Sequence, residues 1–484
     1  MTPALGLAAL SALTTAQRPL VDPRELRSRV LHIGLGAFQR AHQAVYTEAA
    51  TAAAGVGWGI AGVAPGSAAT VEGLRAQDNL YSVTDLAPDG ASTRVVAAFT
   101  EALRLQPDAD RVRALFTSDD LTTVTLTITE KGYHRRGDTG GLDLTSAAIA
   151  EDLARTADDR SAHTVVGALA AGLVARYRAG GAPIDIVSCD NMTANGAATA
   201  RAVREFLTAS SFADRDAVLA WSQTSVGFPN TVVDRIVPTT TDDDRTAVAA
   251  ALGVTDRIPV VGEPYRQWVL EDSFAAPRPA WELAGAGFVD DVAPYQLMKL
   301  RMLNGSHSAM AYLGLAAGCR TVADVLSTSW GEKLVRGLAA EVAPTLPGAL
   351  DVPAYTDALV ARFSNPSMRD QLRRIGCDGS LKVGERWFGV LRRLGASGAP
   401  VLTLALAGWV NATRPAADGG QWFGTTDPAG TALAENWRDA DDPVAVVAAL
   451  LRTAGADDLA GDAELVRTVA ALLPAVQAGR IDLP

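Results

Sequence analysis

Cysteine is scarce in this 484-residue chain: only Cys189, Cys319 and Cys377 occur, scattered and without a C-x-x-C pair, which excludes a disulfide framework and fits a reducing, cytoplasmic setting. Histidine is equally sparse, and His32, His42, His134, His163 and His307 show no paired ligand spacing, so no metal is expected. Positive charge is in deficit, with 43 Lys and Arg against 54 Asp and Glu and a formal net charge of -11. A polyanion such as nucleic acid is therefore not the expected main partner. Long apolar runs are missing too. The longest near a motif-free region, Val401 to Val410, is about half the roughly 20 residues of a membrane span and reads as a buried helix, so no membrane partner is expected. Met1 to Ala16 is mildly apolar but has no Lys or Arg ahead of its apolar part, unlike an export signal.

What is present is a large apolar fraction, 48% against 20% charged, enough to bury the core of a multidomain globular protein. Val30-Leu31-His32-Ile33-Gly34 reads as a short buried strand. A turn through Gly36 and a helix carrying Phe38, Ala41, Val45 and Tyr46 follow it. Further strands are expected at Trp58 to Val63, at Thr123 to Thr129 ahead of Glu130-Lys131-Gly132-Tyr133, and at Ile184 to Ser188 ahead of Cys189-Asp190-Asn191. Short strands alternating with helical stretches such as Ser146 to Ala179 predict an α/β, doubly wound, Rossmann-like domain, whose ligands bind beyond the carboxyl ends of its strands.

From about Pro294 the pattern turns helical, with runs at Tyr295 to Leu315, Thr321 to Ala340, Tyr355 to Ala361 and Pro443 to Thr453. The boundary is expected within Ala284 to Val292, giving a dinucleotide-binding domain over 1–288 and a mostly α-helical substrate and catalytic domain over 289–484. Arg414 to Pro443, rich in Gly, Asp and Pro, is expected to be a long surface loop.

The turn Gly34-Leu35-Gly36-Ala37-Phe38-Gln39 has the first two glycines of G-x-G-x-x-G and Gln39 in place of the third. The second strand runs into Ala64-Pro65-Gly66-Ser67, which supplies neither an acid for a ribose 2'-hydroxyl nor an Arg for a 2'-phosphate, so NAD and NADP both stay open. Lys299-Leu300-Arg301-Met302-Leu303-Asn304-Gly305-Ser306-His307 carries more chemistry. On an α-helix, Gln296, Lys299, Asn304 and His307 fall within an arc of about 140°. Oxidation of an alcohol without a metal needs a base for the hydroxyl proton and donors for the alkoxide, and this face has both. A solvated helix face would show the same spacing.

Taken together, the Gly34 to His42 segment, Glu130-Lys131-Gly132-Tyr133, Ser188-Cys189-Asp190-Asn191 with Asn195-Gly196, Phe228 to Ile236, Glu263-Pro264 through Trp268, Glu271-Asp272, the Lys299 segment and Asp378-Gly379-Ser380 with Lys382 resemble the long-chain mannitol dehydrogenase family along nearly the whole chain. That family includes mannitol 2-dehydrogenases, fructuronate reductases and arabinitol dehydrogenases. The resemblance implies NAD(P)-dependent interconversion of a polyol and its 2-ketose, or of a hexuronate pair, by a monomer. It implies that Lys299 is the general base and that Asn304 and Asn195 hold the alkoxide. Asn191 and Val233 then lie toward the nicotinamide, with Gly34, Gly36 and Phe38 in the cofactor turn. His307, Arg374, Lys382 and Asp234 contact substrate. Members often carry Glu where this chain has Gln296, three residues before the Lys; Glu130 is the candidate substitute in proton release. A dinucleotide-binding sensor without turnover is the contrasting expectation, and retention of Lys299, Asn304 and His307 argues against it.

Overall fold

The computed structural model describes residues 2–348, 350–417, 420–439 and 442–484. The chain divides into two units, Met1–Val292 and Ala293–Pro484. Twelve strands lie in the first: β1 (Arg27–Ile33), β2 (Trp58–Ala64), β3 (Tyr81–Ala87), β4 (Gly90–Val96), β5 (Phe99–Arg104), β6 (Thr123–Leu126), β7 (Ile184–Ser188), β8 (Val226–Gly227), β9 (Thr231–Asp234), β10 (Val260–Gly262), β11 (Gln267–Glu271) and β12 (Gly287–Val289).

A parallel sheet in the order β5-β2-β1-β6-β7-β8 forms its centre. Because side chains alternate across a strand, Val30 and Ile60 enter one apolar cluster while Leu31, Ile33, Ala61 and Val63 enter another. Helices cover both faces, as a parallel sheet requires. Val45, Val71 and Leu74 pack on the first, and Val165, Leu169 and Phe206 on the second. The Rossmann-like, doubly wound expectation is met. Two three-stranded sheets, β10-β3-β4 and β12-β11-β9, are additions that runs of three to seven residues did not announce.

Three elements differ from expectation in this unit, the first being the stretch Ser146 to Ala179, which is two helices, Ala147–Arg155 and Val165–Arg178. β6 ends at Leu126 rather than Thr129, because the Asp190 carboxylate accepts from the N–H groups of Ile128 (3.0 Å) and Thr129 (2.7 Å) and draws the chain out of the ladder; Thr129 takes φ +64°. The helix after Gly36 is two, Ala37–Ala41 and Gln43–Ala54, broken at His42 (φ -120°, ψ -87°).

His32 and His42 are fully buried. The His32 ring lies 2.8 Å from Thr125 Oγ1 and 3.0 Å from Thr127 Oγ1, and His42 Nε2 donates to the Gln267 carbonyl at 2.8 Å. Burial lowers both pKa values to about 3. The unfolded chain therefore takes these protons first, so their contribution to stability is complete above about pH 6.5 and is lost as pH falls. Between pH 6.5 and 5 the pair should cost roughly 3 kcal/mol. Asp185 works the other way: burial raises its pKa to about 6, and its protonation on folding returns about 1 kcal/mol over the same interval. Urea unfolding at the two pH values should show a net loss of about 2 kcal/mol at pH 5; a flat profile would mean the imidazoles do not stay neutral.

The Ala293–Pro484 unit is helical, with no strand beyond isolated bridges among the described residues. Its centre is Pro400–Ala412, buried from Val401 to Ala412 and packed against Gly305–Ala316, Gly331–Val342 and Ala463–Gln477. No single helix among the described residues is long and apolar enough to cross a bilayer. The long-loop expectation for Arg414 to Pro443 is corrected in part: Gly430–Asp439 is a helix, with Leu433 buried and Trp437 Nε1 donating to Thr413 Oγ1 at 3.0 Å. The Gly, Asp and Pro residues on either side masked that apolar pair, which is spaced by one turn. Positions 418, 419, 440 and 441 of that stretch lie outside the described residues.

Candidate active site

The turn after β1 is shaped by two glycines with different tasks. Gly34 has φ +113°, and a Cβ there would stand 2.1 Å from the Thr127 carbonyl oxygen, so only glycine fits. Gly36 caps the helix that follows, and a Cβ on it would meet nothing nearer than the Gly34 carbonyl at 3.6 Å. Its backbone is bare on the side where unpaired first-turn N–H groups accumulate. That cradle fits a dinucleotide pyrophosphate, with Gly34 and Gly36 as the residues that would hold it. Phe38 stacks on His42 with ring centroids 5.0 Å apart and is thereby anchored to Tyr46 and Trp268. Gln39 is buried, in keeping with the absence of a third glycine.

At the carboxyl end of β7, Asp190 also accepts from Tyr133 Oη at 2.7 Å, and Tyr133 in turn meets Ser188 Oγ at 2.7 Å. Burial raises the Asp190 pKa, countered by these donors. Asn195 is wholly buried. Its Nδ2 donates to the Asp190 and Thr231 carbonyls (3.0 and 3.1 Å) and to Thr231 Oγ1 (3.1 Å), and its Oδ1 accepts from the Thr231 N–H at 2.9 Å. In Asn195, the residue expected at the alkoxide, the amide ties the β7 turn to β9. Asn191 is exposed at the same strand end. Val233 and Asp234 are buried at the end of β9, facing Trp268 and Gln267 of β11 in register. Arg235 pairs with Asp85 and donates to the Glu263 and Ala41 carbonyls. Glu130 is exposed, in the helical turn after β6.

In the second unit, Lys299–Asn304 is a π-helix set between Ala293–Met298 and Gly305–Ala316, with the Gly305 N–H reaching back five residues to the Leu300 carbonyl. Spacing at 100° per residue therefore does not apply. Each wider turn takes in more residues, so Lys299 and Asn304, five apart, come closer to one line than α-geometry allows. Lys299, Gln296, Asn304 and His307 are half-buried, and the His307 ring packs on Phe363 at 4.7 Å.

A second π-helix, Gly384–Phe388, lies against the first. Its Arg386 donates to the Asn304 carbonyl (3.1 Å) and to Ser308 Oγ (2.7 Å), and Trp387 Nε1 donates to the Gly305 carbonyl (3.2 Å). On another side Arg301 grips Thr345 at 2.8 and 2.9 Å. Arg386 and Trp387 thus hold carbonyls at the end of the wide turn, and Arg301 ties the turn to Thr345. Sequence reasoning missed Arg386 and Trp387; the only available signal was a charged-aromatic pair just beyond Lys382.

Arg374 is exposed and pairs with Asp370 at 4.0 Å, a contact of small energetic weight. Lys382 is half-buried, and its Nζ donates to the Ile375 (3.2 Å) and Cys377 (2.6 Å) carbonyls. Burial, then the nearby Arg386 charge, lowers its pKa. No group of three or more His, Cys, Asp or Glu suited to a metal ion occurs among the described residues.

A parallel sheet with a bare glycine turn, together with a braced Lys and Asn on a π-turn, defines an oxidoreductase of the dinucleotide-fold class. The chain belongs to the mannitol dehydrogenase family: the family's Rossmann-domain model matches residues 28–283 and its C-terminal-domain model residues 291–477. It is 38% identical over 474 residues to the D-mannonate oxidoreductase of Escherichia coli, covering 94% of each chain. Among solved structures it resembles a substrate-free D-sorbitol dehydrogenase (TM-score 0.88, 30% identity, 99% of this chain and 100% of the other). It also resembles the mannitol 2-dehydrogenase of Pseudomonas fluorescens in ternary complex with NAD and D-mannitol (TM-score 0.79, 32% identity, 98% and 97%).

Proposed function

We propose that this protein is an NAD(P)-linked, metal-independent secondary-alcohol dehydrogenase that interconverts an open-chain polyol and its 2-ketose. The observation that carries the reading is the π-turn, which brings Lys299 and Asn304 toward one line and whose end is held at the Asn304 and Gly305 carbonyls by Arg386 and Trp387. In the oxidative direction the Lys299 amine takes the hydroxyl proton, the Asn304 amide steadies the alkoxide, and the carbon releases hydride as its C=O forms. The nicotinamide, when bound, supplies the hydride acceptor. Gly34, Gly36 and Phe38 are assigned to the cofactor turn, and Asn191, Val233 and Asp234 to the reacting end.

His307 and Lys382 are assigned to substrate hydroxyls; Lys382 has two of its three donors occupied by carbonyls, which suits it to a single directed bond. Arg374 favours a second reading, a hexuronate substrate, because an exposed guanidinium can take a carboxylate in bidentate fashion. The similarity to a D-mannonate oxidoreductase points the same way.

Oxidation of NADH and NADPH, followed at 340 nm with D-fructose, D-fructuronate, D-tagaturonate and D-xylulose, tests both readings. Preference for D-fructose supports the polyol reading, preference for D-fructuronate supports the hexuronate reading, and dinucleotide binding without turnover of any ketose would favour a sensor. Prolonged treatment with EDTA should leave the rate unchanged; a loss restored by zinc would overturn the metal-independent mechanism.

A further inference from the structure

A pocket of about 510 Å³ opens on the Met1–Val292 unit between the first turns of Ala37–Ala41 and Ala68–Arg75 and the segments 237–240 and 257–259. Three arginines, Arg40, Arg245 and Arg257, are in its lining against one acidic residue, Glu72, together with Thr70, Thr239 and Thr240. Arg40 is buried and fixed, with Nε donating to the Gly36 carbonyl at 3.2 Å, a second donor on the Ile258 carbonyl and the Tyr81 ring beneath it. Arg245 donates to the Arg257 carbonyl at 2.8 Å and has only a distant partner, Asp242 at 3.8 Å on the open surface. The Arg257 backbone is held from both sides, its N–H by Gln77, while its guanidinium has no hydrogen-bond or ion-pair partner among the described residues. Burial disfavours the Arg40 cation, Tyr81 and Asp256 favour it in part, and the charge of Arg245 opposes it further. Three like charges around one cavity, against the lone Glu72 in its lining, are a cost that a bound anion would reduce.

Position decides which anion. Ala37 follows Gly36 directly, and Thr70 is the residue whose N–H is capped by Ser67 at the exit of β2. The pocket thus lies where β1 and β2 both pass into helices, the place in such folds where the 2'-position of the adenosine ribose is read. Ala64-Pro65-Gly66-Ser67 brings no carboxylate there to select a free 2'-hydroxyl. We propose that this pocket is a phosphate site and that its occupant is the 2'-phosphate of NADP. The occupant, though not the phosphate chemistry, rests on the dinucleotide reading above.

Calorimetric titration of the full chain with NADP+, NAD+ and inorganic phosphate tests this, alongside an Arg245→Gln, Arg257→Gln double variant shown by thermal melting to be folded. The expected result is NADP+ affinity reduced about tenfold or more in the variant, as for loss of charge-assisted hydrogen bonds, with NAD+ affinity within about twofold. Equal weakening of both dinucleotides, or no change with any of the three probes, overturns the proposal. If phosphate binding disappears in the variant while both dinucleotides bind as before, the site takes a free anion and the NADP assignment falls. Should neither dinucleotide bind the unmodified protein, the dinucleotide reading itself fails, and the phosphate titration alone decides the pocket.

Discussion

Lys299→Ala is expected to lower kcat about 10²–10⁴-fold while NAD+ affinity stays within a few-fold. The side chain leaves the first turn of a π-helix that Arg386 and Trp387 hold at the Asn304 and Gly305 carbonyls and Arg301 ties to Thr345, so truncation should remove the base without collapsing the turn. A removed base leaves a further trace. If Lys299 takes the proton, the low-pH limb of the kcat/KM profile for oxidation should vanish in the variant, and small primary amines should restore part of the rate. Turnover unchanged in Lys299→Ala would take the Lys out of the mechanism.

The second large effect separates two asparagines four residues apart. Asn195→Ala should destabilise the Met1–Val292 unit by about 3–5 kcal/mol, because it strands the Asp190 and Thr231 carbonyls and the Thr231 N–H in a buried site, at about 1–3 kcal/mol for each unsatisfied group. Asn195→Asp, which keeps the acceptor and loses both N–H donors, should be intermediate at pH values where it is protonated. Asn191→Ala, at a position assigned to the nicotinamide end, should instead act on the dinucleotide and raise its KM about tenfold, as for one lost hydrogen bond. Urea unfolding and steady-state kinetics on the same preparations decide it. A stable Asn195→Ala protein with greatly reduced kcat would return the catalytic role to Asn195.

Some of these distinctions were legible in the residues and others were not. The buried strands at β1, β2 and β7 stood out because a parallel sheet covered on both faces needs near-continuous apolar runs. β3 and β4, as long as β1 and β2, carried no such pattern, since their residues are partly exposed and read as loop. The helix at Gly430–Asp439 was hidden by its flanks. The Asp190 clamp was also hidden, because a carboxylate between Cys189 and Asn191 looks like ligand chemistry until Tyr133 and the N–H groups of Ile128 and Thr129 are seen around it.

By itself the sequence determined the family, the division into a sheet unit and a helical unit, and the identity of Lys299 and Asn304 as chemically able side chains, since these depend on residue type and order along the chain. Only the tertiary structure decided that Lys299 begins a π-turn, that Arg386, 82 residues from Asn304, holds that turn in place, and that Asn195 is a clamp. The reason is physical. Which hydrogen bonds a backbone or an amide makes is settled by the groups that folding brings to it from far along the chain, and local periodicity contains no record of them.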